Sequence, residues 1–311
     1  MSFGRVPQKL KEHYGIEVPI SAARAVTQEH GEAMLGQEPM SNLGKGGARL
    51  LIAEMDGSMI PTVSTENEEK GRKTKVDKRK HRQLGWKEAR LCLARDPRSV
   101  NAHYGTTMGD PGQAGRQMVE CVVEAGGGSS TRLHCVGDGA TWIVSQFKEQ
   151  FGTRASYLID FYHVSEYLAG ASEFLAQSKK ARWLRQQQRR LKSNRITEVL
   201  MELSKLAAVE QATLTDGGRS DPTNQDHPPT ACKRYLEARL DYLDYKTALK
   251  ARLPIGSGEV ESGHRSVIQA RLKLPGAWWK IDNAEKMLKL RTVRANNNWE
   301  TYWRQLRQAA A

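Results

Sequence analysis

Apolar residues recur along the first half of the chain in short runs, each closed by turn-forming residues. "ARLLIAEMDGSMIPTV" carries an apolar run that stops at Asp56-Gly57, which predicts a buried strand over Leu50 to Met55. "GWKEARLCLAR" and "SVNAHYGTTMG" predict two more strands. "DPGQAGRQMVECVVEAGGG" predicts a helix, with Pro111 in its first turn and glycines behind its end. "TRLHCVGDGATWIVSQF" reads as a fourth strand ending at Asp138-Gly139 and leading into a helix. "ASYLIDFYHVSEYL" reads as a fifth strand ending at Asp160.

After Asp160 the period changes. Val164, Tyr167, Leu168, Ala171, Phe174 and Leu175 follow the i, i+3, i+4, i+7 stripe of a helix. Helical patterns continue to Leu253, broken by the Gly-, Pro- and Asp-rich stretch "TDGGRSDPTNQDHPPTA". The order is therefore strand, strand, strand, helix, strand, helix, strand, then a helical region. Ahead of it, residues 1 to 45 are helical and partly polar. "VPISAARAVTQEHGEAM" has the look of a turn and second helix of a helix-turn-helix, with Ser21 as the candidate N-cap, and equally that of an ordinary surface helix.

Charge changes the picture. Of 311 residues, 48 are Lys or Arg and 35 Asp or Glu, a net charge of +13 that points to a polyanionic partner. Three segments concentrate the cations: residues 65 to 82, the acid-free run "KKARWLRQQQRRLKSNR", and Arg265 to Arg294 with Trp278 and Trp279 inside it. The first reads as a solvated loop or a DNA contact, and the two indoles as core residues or base-stacking groups. No apolar run approaches the length of a membrane span, and the N-terminal residues form no secretory leader. The four cysteines are widely spaced and read as reduced thiols of a cytosolic protein.

The candidate chemistry lies in carboxylates far apart in sequence. Asp56 and Asp138 each follow an apolar strand, and strand ends of an α/β sheet converge on a common rim. A divalent cation would relieve their mutual repulsion. A third acid is available in "LPIGSGEVESGHRSVIQARLK", where Glu259 and Glu261 head a basic helix. They lie about 200° apart around it, so only one can face the sheet. Glu261 shares its stripe with Ile268 and Leu272, which favours it over Glu259. Acids in a first helical turn also simply favour the helix dipole.

The segments "MDGSMIP", "VGDGATWI", "IDFYHVSEYL", "PIGSGEVESGHRSVIQARLKLPGAWW" and "LRTVRANNNWETYW", in this order, resemble DDE transposases of the Kra-type insertion sequences, relatives of the Mutator-like group, over residues 46 to 305. The resemblance implies an α/β, RNase H-like mixed five-stranded sheet flanked by helices, with an all-helical insertion before the last catalytic helix. It implies a core in two parts, 46–165 and 254–311, around an insertion at 166–253, preceded by a helical segment at 1–45 whose DNA-binding part is either truncated to a remnant, supplied by another reading frame or simply reduced. It implies that Asp56, Asp138 and Glu261 are the catalytic residues and hold Mg²⁺, for which Mn²⁺ can substitute. Asp160 and His163 match an acid-x-x-His motif of the group. Asp160 is then either a rival metal ligand or a helix cap, and His163 either orients the site or packs at a helix start.

Expected partners are double-stranded DNA at element ends and target, contacted by Arg182, Arg185, Arg189, Arg190, Arg265, Arg271 and Lys273, and further copies of the chain assembled on DNA. The expected location is cytoplasmic, on the nucleoid. The expected activity is DNA cleavage and strand transfer. The alternatives are an RNase H-like nuclease or resolvase without strand transfer, and an inert DNA-binding remnant. Transposases of this kind carry a longer N-terminal region, so end recognition is the function the sequence supports least.

Overall fold

The computed structural model describes residues 2–36, 43–65, 82–216 and 228–309. The basic connection at 66–81 and most of the Gly- and Pro-rich stretch, 217–227, lie outside the described residues.

Five strands form one mixed sheet in the order β3-β2-β1-β4-β5: β1 (Leu50–Thr65), β2 (Arg82–Arg95), β3 (His103–Thr107), β4 (Arg132–Gly137) and β5 (Ala155–Ile159). The first three make an antiparallel meander. Helix α3 (Pro111–Glu124) joins β3 to β4, and α4 (Thr141–Phe151) joins β4 to β5. This is the RNase H-like arrangement. The start of α3 is written locally: the Asp110 side chain accepts from the Gln113 amide, the Gln113 side chain returns to the Asp110 amide, and Pro111 opens the helix.

β1 is longer than its sequence suggests. It continues past Asp56 to Thr65, paired with β2 throughout. Gly57 and Pro61 look like terminators, but β-branched Ile60, Thr62 and Val63 carry the strand on. Pro61 costs no bond to β2, because its backbone faces the other edge. There its carbonyl accepts from Trp279 N (3.2 Å), and Trp279 O accepts from Val63 N (2.9 Å). Asp56 is thus mid-strand, opposite Leu91, and not at a strand end.

The chain divides into two compact units. One holds residues 1–133, 145–154 and 258–311. Its core joins Ile60, Ala89, Leu91 and Leu93 of the meander to Val260, Val267, Ile268 and Leu272 of a late helix and to Leu288 of α12 (Ile281–Ala295). The N-terminal helices α1 (Val6–Tyr14) and α2 (Ile20–Leu35) belong to this unit. Helix α2 packs on α12 closely enough that a Cβ on Gly31 would lie 2.8 Å from Lys286 Cβ. Met34 joins Leu290 and Tyr302, the last on α13 (Trp299–Ala309). Pro19 precedes α2, so Ser21 lies inside the helix and caps nothing.

The other unit holds residues 134–144 and 155–257. Among the described residues its part beyond β5 is all helical: α5 (Phe161–Ser172), α6 (Gln177–Lys192), α7 (Ile196–Asp216), α8 (Pro228–Glu237), a short 3₁₀ turn (Leu240–Tyr242) and α9 (Tyr245–Lys250). Their core includes Val164, Leu168, Leu191, Val199, Leu203, Leu236 and Tyr245. No described helix is long and apolar enough to cross a membrane.

Candidate functional site

Alternation along β1 puts Glu54, Asp56, Ser58 and Ile60 on one face. Ile60 and the residues opposite the acids, Leu91 and Leu93, pack against the late helix, so this is the face it covers. That helix begins as α10 (Gly258–Gly263), widens into a π-helical turn (His264–Gln269) and closes as α11 (Ala270–Leu272). In the wide turn the Ala270 amide reaches back five residues to Arg265 O. Arg291 of α12 supports the loosened backbone by donating to Val267 O (3.1 Å) and to Ser266 O. Such turns concentrate at functional sites because they re-aim side chains without breaking a helix.

The buried stripe runs through Val260, Gly263, His264, Val267, Ile268, Arg271 and Leu272. A Cβ on Gly263 would approach within 2.8 Å of Leu91 and 2.9 Å of Tyr104, so this glycine lets the helix lie directly on the sheet. Neither head-of-helix glutamate is on that stripe. Glu259, at its flank, takes both arms of the Arg95 guanidinium, and Arg95 also donates to Asp96 O and Ser99 O at 3.0 Å each. Glu261 points outward: its side chain is 59% exposed and lies 3.9 Å from Arg265. The expectation that Glu261 faces the sheet failed because the stripe is set by Val260, one residue before it, and Gly263, two residues after it. Arg95 nonetheless leaves Glu261 as the unengaged carboxylate of the two.

Asp56 has one oxygen fixed by the Gly57 amide (2.7 Å). Its Oδ2 lies 3.1 Å from Nε2 of His264, whose side chain is 4% exposed. The pair is close but not aligned as a hydrogen bond, and neither ring nitrogen of His264 has another partner. Two residues before Asp56, buried Glu54 accepts the Val260 amide at the start of α10 (2.8 Å). A carboxylate there stabilises the free amides of a helix N-terminus. Sequence reasoning passed over Glu54 and gave His264 no role. The available signal was "AEMD" itself, which puts two acids on one strand face.

In the other unit Asp138 follows β4 directly. Its Oδ1 accepts from Ala140 N (2.8 Å), its carbonyl from Tyr235 Oη (2.7 Å). Gly139 is held by Tyr157 Oη on its amide (3.1 Å) and by Arg239 on its carbonyl. The Arg239 guanidinium lies 4.1 Å over the Tyr235 ring, which stacks on Tyr167 at 4.4 Å. Burial pushes both Tyr157 and Tyr235 well above the usual phenol range, so both stay protonated, Tyr235 donating to Asp138 O and Tyr157 accepting from Gly139 N. His163 packs edge-on against Tyr167 and Tyr235. Tyr235 and Arg239 were not foreseen. Their i, i+4 spacing in "RYLEAR" is the only trace they leave in the sequence.

Asp160 caps α5. Its Oδ1 accepts from the amides of Tyr162 (2.6 Å) and His163 (3.1 Å), its Oδ2 from Ser257 N (2.6 Å) and Ser257 Oγ (2.5 Å). Four donors satisfy this buried carboxylate. Of the expected DNA contacts, Arg182, Arg185 and Arg189 are exposed along α6, while Arg190 turns to Glu198 (3.2 Å). Arg265 and Lys273 are exposed. Arg271 is buried between the rings of Phe3 (4.7 Å) and Trp279 (4.9 Å), a packing position that cannot meet a phosphate.

The model of the uncharacterised protein family UPF0236 matches residues 21–307. The chain belongs to this family. None of the curated proteins matches it.

Hard carboxylate oxygens in this UPF0236 protein are of the right kind for Mg²⁺, which is satisfied by one or two of them with water and substrate phosphate. Asp56 keeps Oδ2 clear of backbone donors, Asp138 likewise, and Glu261 is open. Among the described residues no three His, Cys, Asp or Glu side chains converge into a finished metal shell.

Proposed function

We propose that this UPF0236 chain is a DDE transposase that cleaves DNA at insertion-sequence ends and transfers the freed 3′ hydroxyl to target DNA. The observation that carries the reading is positional. On an RNase H-like sheet, one acid lies on the β1 face under the late helix, one directly follows β4, and a third heads the helix that follows the helical region. The exposed arginines of α6 and the charge of +13 support a DNA partner.

Asp56, Asp138 and Glu261 would hold Mg²⁺ or Mn²⁺, which when bound neutralises charge on the phosphodiester and activates the attacking oxygen. The protein's own contribution is placement. Gly57 fixes Asp56, with His264 close beside it, Tyr235 and Ala140 fix the Asp138 turn, and Arg95 withdraws Glu259. Arg265 and Lys273, on and just after the helix of Glu261, are available to phosphate. On DNA the chain is expected to act as an oligomer.

The test incubates the purified chain with DNA carrying its element ends, with Mg²⁺ or with chelator, and resolves cut and joined products. Metal-dependent joining that disappears in D56N, D138N and E261Q, but not in E259Q, supports the reading. Cutting without joined products favours a nuclease, binding without cutting favours an inert remnant, and cutting indifferent to all three substitutions removes the site.

A further inference from the structure

The far end of the meander carries a second feature that the acid site does not use. Residues directly opposite in an antiparallel pair share a face, so Met59, Pro61 and Val63 of β1 lie with Glu88, Trp86 and Leu84 of β2. Beyond the other edge of β1, Trp279 forms an isolated parallel bridge with Thr62. Its neighbours in sequence then divide between the two faces. Trp279 turns inward, buried, with Nε1 donating to Leu272 O (3.1 Å). Trp278 turns outward and meets Trp86 edge to face across Pro61, ring centroids 6.4 Å apart.

The result is an aromatic row over a proline floor. Trp86 is 61% and Trp278 41% exposed, with exposed Leu84 and Met59 beside them. Two large indoles, one on the β1–β2 ribbon and one beside the Trp279 bridge, offer flat π-surface at low ordering cost. One end of the row is cationic: exposed Arg82 lies two residues before Leu84, a position that alternates to the same face. On that face Glu88 is paired with Arg90 at 2.5 Å.

We propose that Trp86 and Trp278 form a stacking platform for unpaired nucleobases of single-stranded DNA, with Arg82 holding an adjoining phosphate. Stacking is tolerant of base identity, because every base presents a π-face. This rests on DNA being the partner, but not on the acid site or its metal. Failure of cleavage and failure of this platform are therefore separate results.

The experiment measures fluorescence anisotropy of a dye-labelled oligothymidylate of about 12 nucleotides, a length within the usual site sizes, with the full chain in chelator. An abasic oligonucleotide of equal length serves as comparator. Wild type should bind the base-bearing strand more tightly. W86A and W278A should each weaken that binding by roughly five- to a hundredfold, leave the abasic strand unaffected, and be rescued by phenylalanine. Both side chains are exposed, and the phenylalanine variants keep the test open should an alanine variant fold poorly. Equal affinity of wild type for the two strands would overturn the proposal. So would alanine variants that bind like wild type, or that change only the self-association of the chain.

Discussion

Asp56 Oδ2 and His264 Nε2 lie 3.1 Å apart, off the hydrogen-bond line, with the imidazole buried and otherwise unpartnered. A buried polar group without aligned partners costs stability, and an apolar residue of similar size would remove that cost. Asp56 is about one-third exposed and would remain hydrated without the histidine. His264→Leu is therefore expected to leave thermal stability unchanged or slightly raised. It should lower metal-dependent DNA cutting at least tenfold, because the carboxylate loses the imidazole that lies 3.1 Å from its Oδ2 and limits where it can turn. A fall of several degrees in melting temperature with full activity per folded molecule would make His264 a packing residue instead.

The two glutamates of α10 separate stability from chemistry. Glu259 neutralises Arg95, whose side chain is only 10% exposed, while Glu261 has a long, exposed contact of 3.9 Å with Arg265. Glu259→Gln leaves a buried guanidinium without its counter-charge. Loss of a fully buried pair costs about 3–5 kcal/mol, and the 41% exposure of Glu259 brings the expectation down to about 1–3 kcal/mol. Glu261→Gln should stay within about 0.5 kcal/mol of wild type while abolishing cutting. Denaturant midpoints and cleavage assays on both variants check this. The reverse pattern would move the third carboxylate to Glu259.

Much of this fold could be read directly from residues. The strand and helix order, the Pro111 helix start and the all-helical run after Asp160 follow from local period and turn chemistry. What escaped was tertiary. Nothing local says that β1 passes through Gly57 and Pro61, since the permissive edge at Pro61 is made by Trp279, over two hundred positions away. The side of α10 that meets the sheet depends on Gly263 fitting against Leu91 and Tyr104, not on which stripe is bulkier. Arg271 reads as a DNA cation until Phe3 and Trp279 are seen to enclose it. Asp138 is legible as a strand-end acid because it directly follows β4, whereas Tyr235 on α8 and Arg239 just beyond it, which hold its turn, are remote in sequence.

His134 makes stability depend on pH. Its Nε2 bonds Pro254 O (2.7 Å), and burial lowers its pKa from the ordinary value, an effect that bond only partly offsets. The folded chain therefore binds the proton less readily than the unfolded chain. This contribution is fully present above about pH 6.5 and is lost as pH falls from there through the folded value. Glu120 and Glu285, raised by burial, act in the opposite sense at lower pH. The difference between wild type and His134→Gln cancels them. Melting temperatures across pH 5 to 8, a window around the ordinary histidine value, should show a shallower acid limb in the variant. Parallel curves would mean that His134 does not titrate in this window.

Helix α6 presents Arg182, Arg185 and Arg189 to solvent, spaced at three and four residues, while Trp183, Gln187 and Leu191 hold its other side to the helical core. The helix contains no acid, so its exposed stripe keeps its charge. Cations on such a stripe meet phosphates without reading bases, and each phosphate contact adds close to one unit to the salt slope. Reversing Arg185 and Arg189 to Glu should weaken binding to two unrelated duplexes by the same factor. It should reduce the slope of log affinity against log salt by about 2 on both. Fold is not at risk, because both side chains lie off the buried stripe. Titrations of the two duplexes at four salt concentrations decide it. Unchanged affinity and slope would make α6 an ordinary solvated helix, and a loss confined to one duplex would mean that these arginines read sequence.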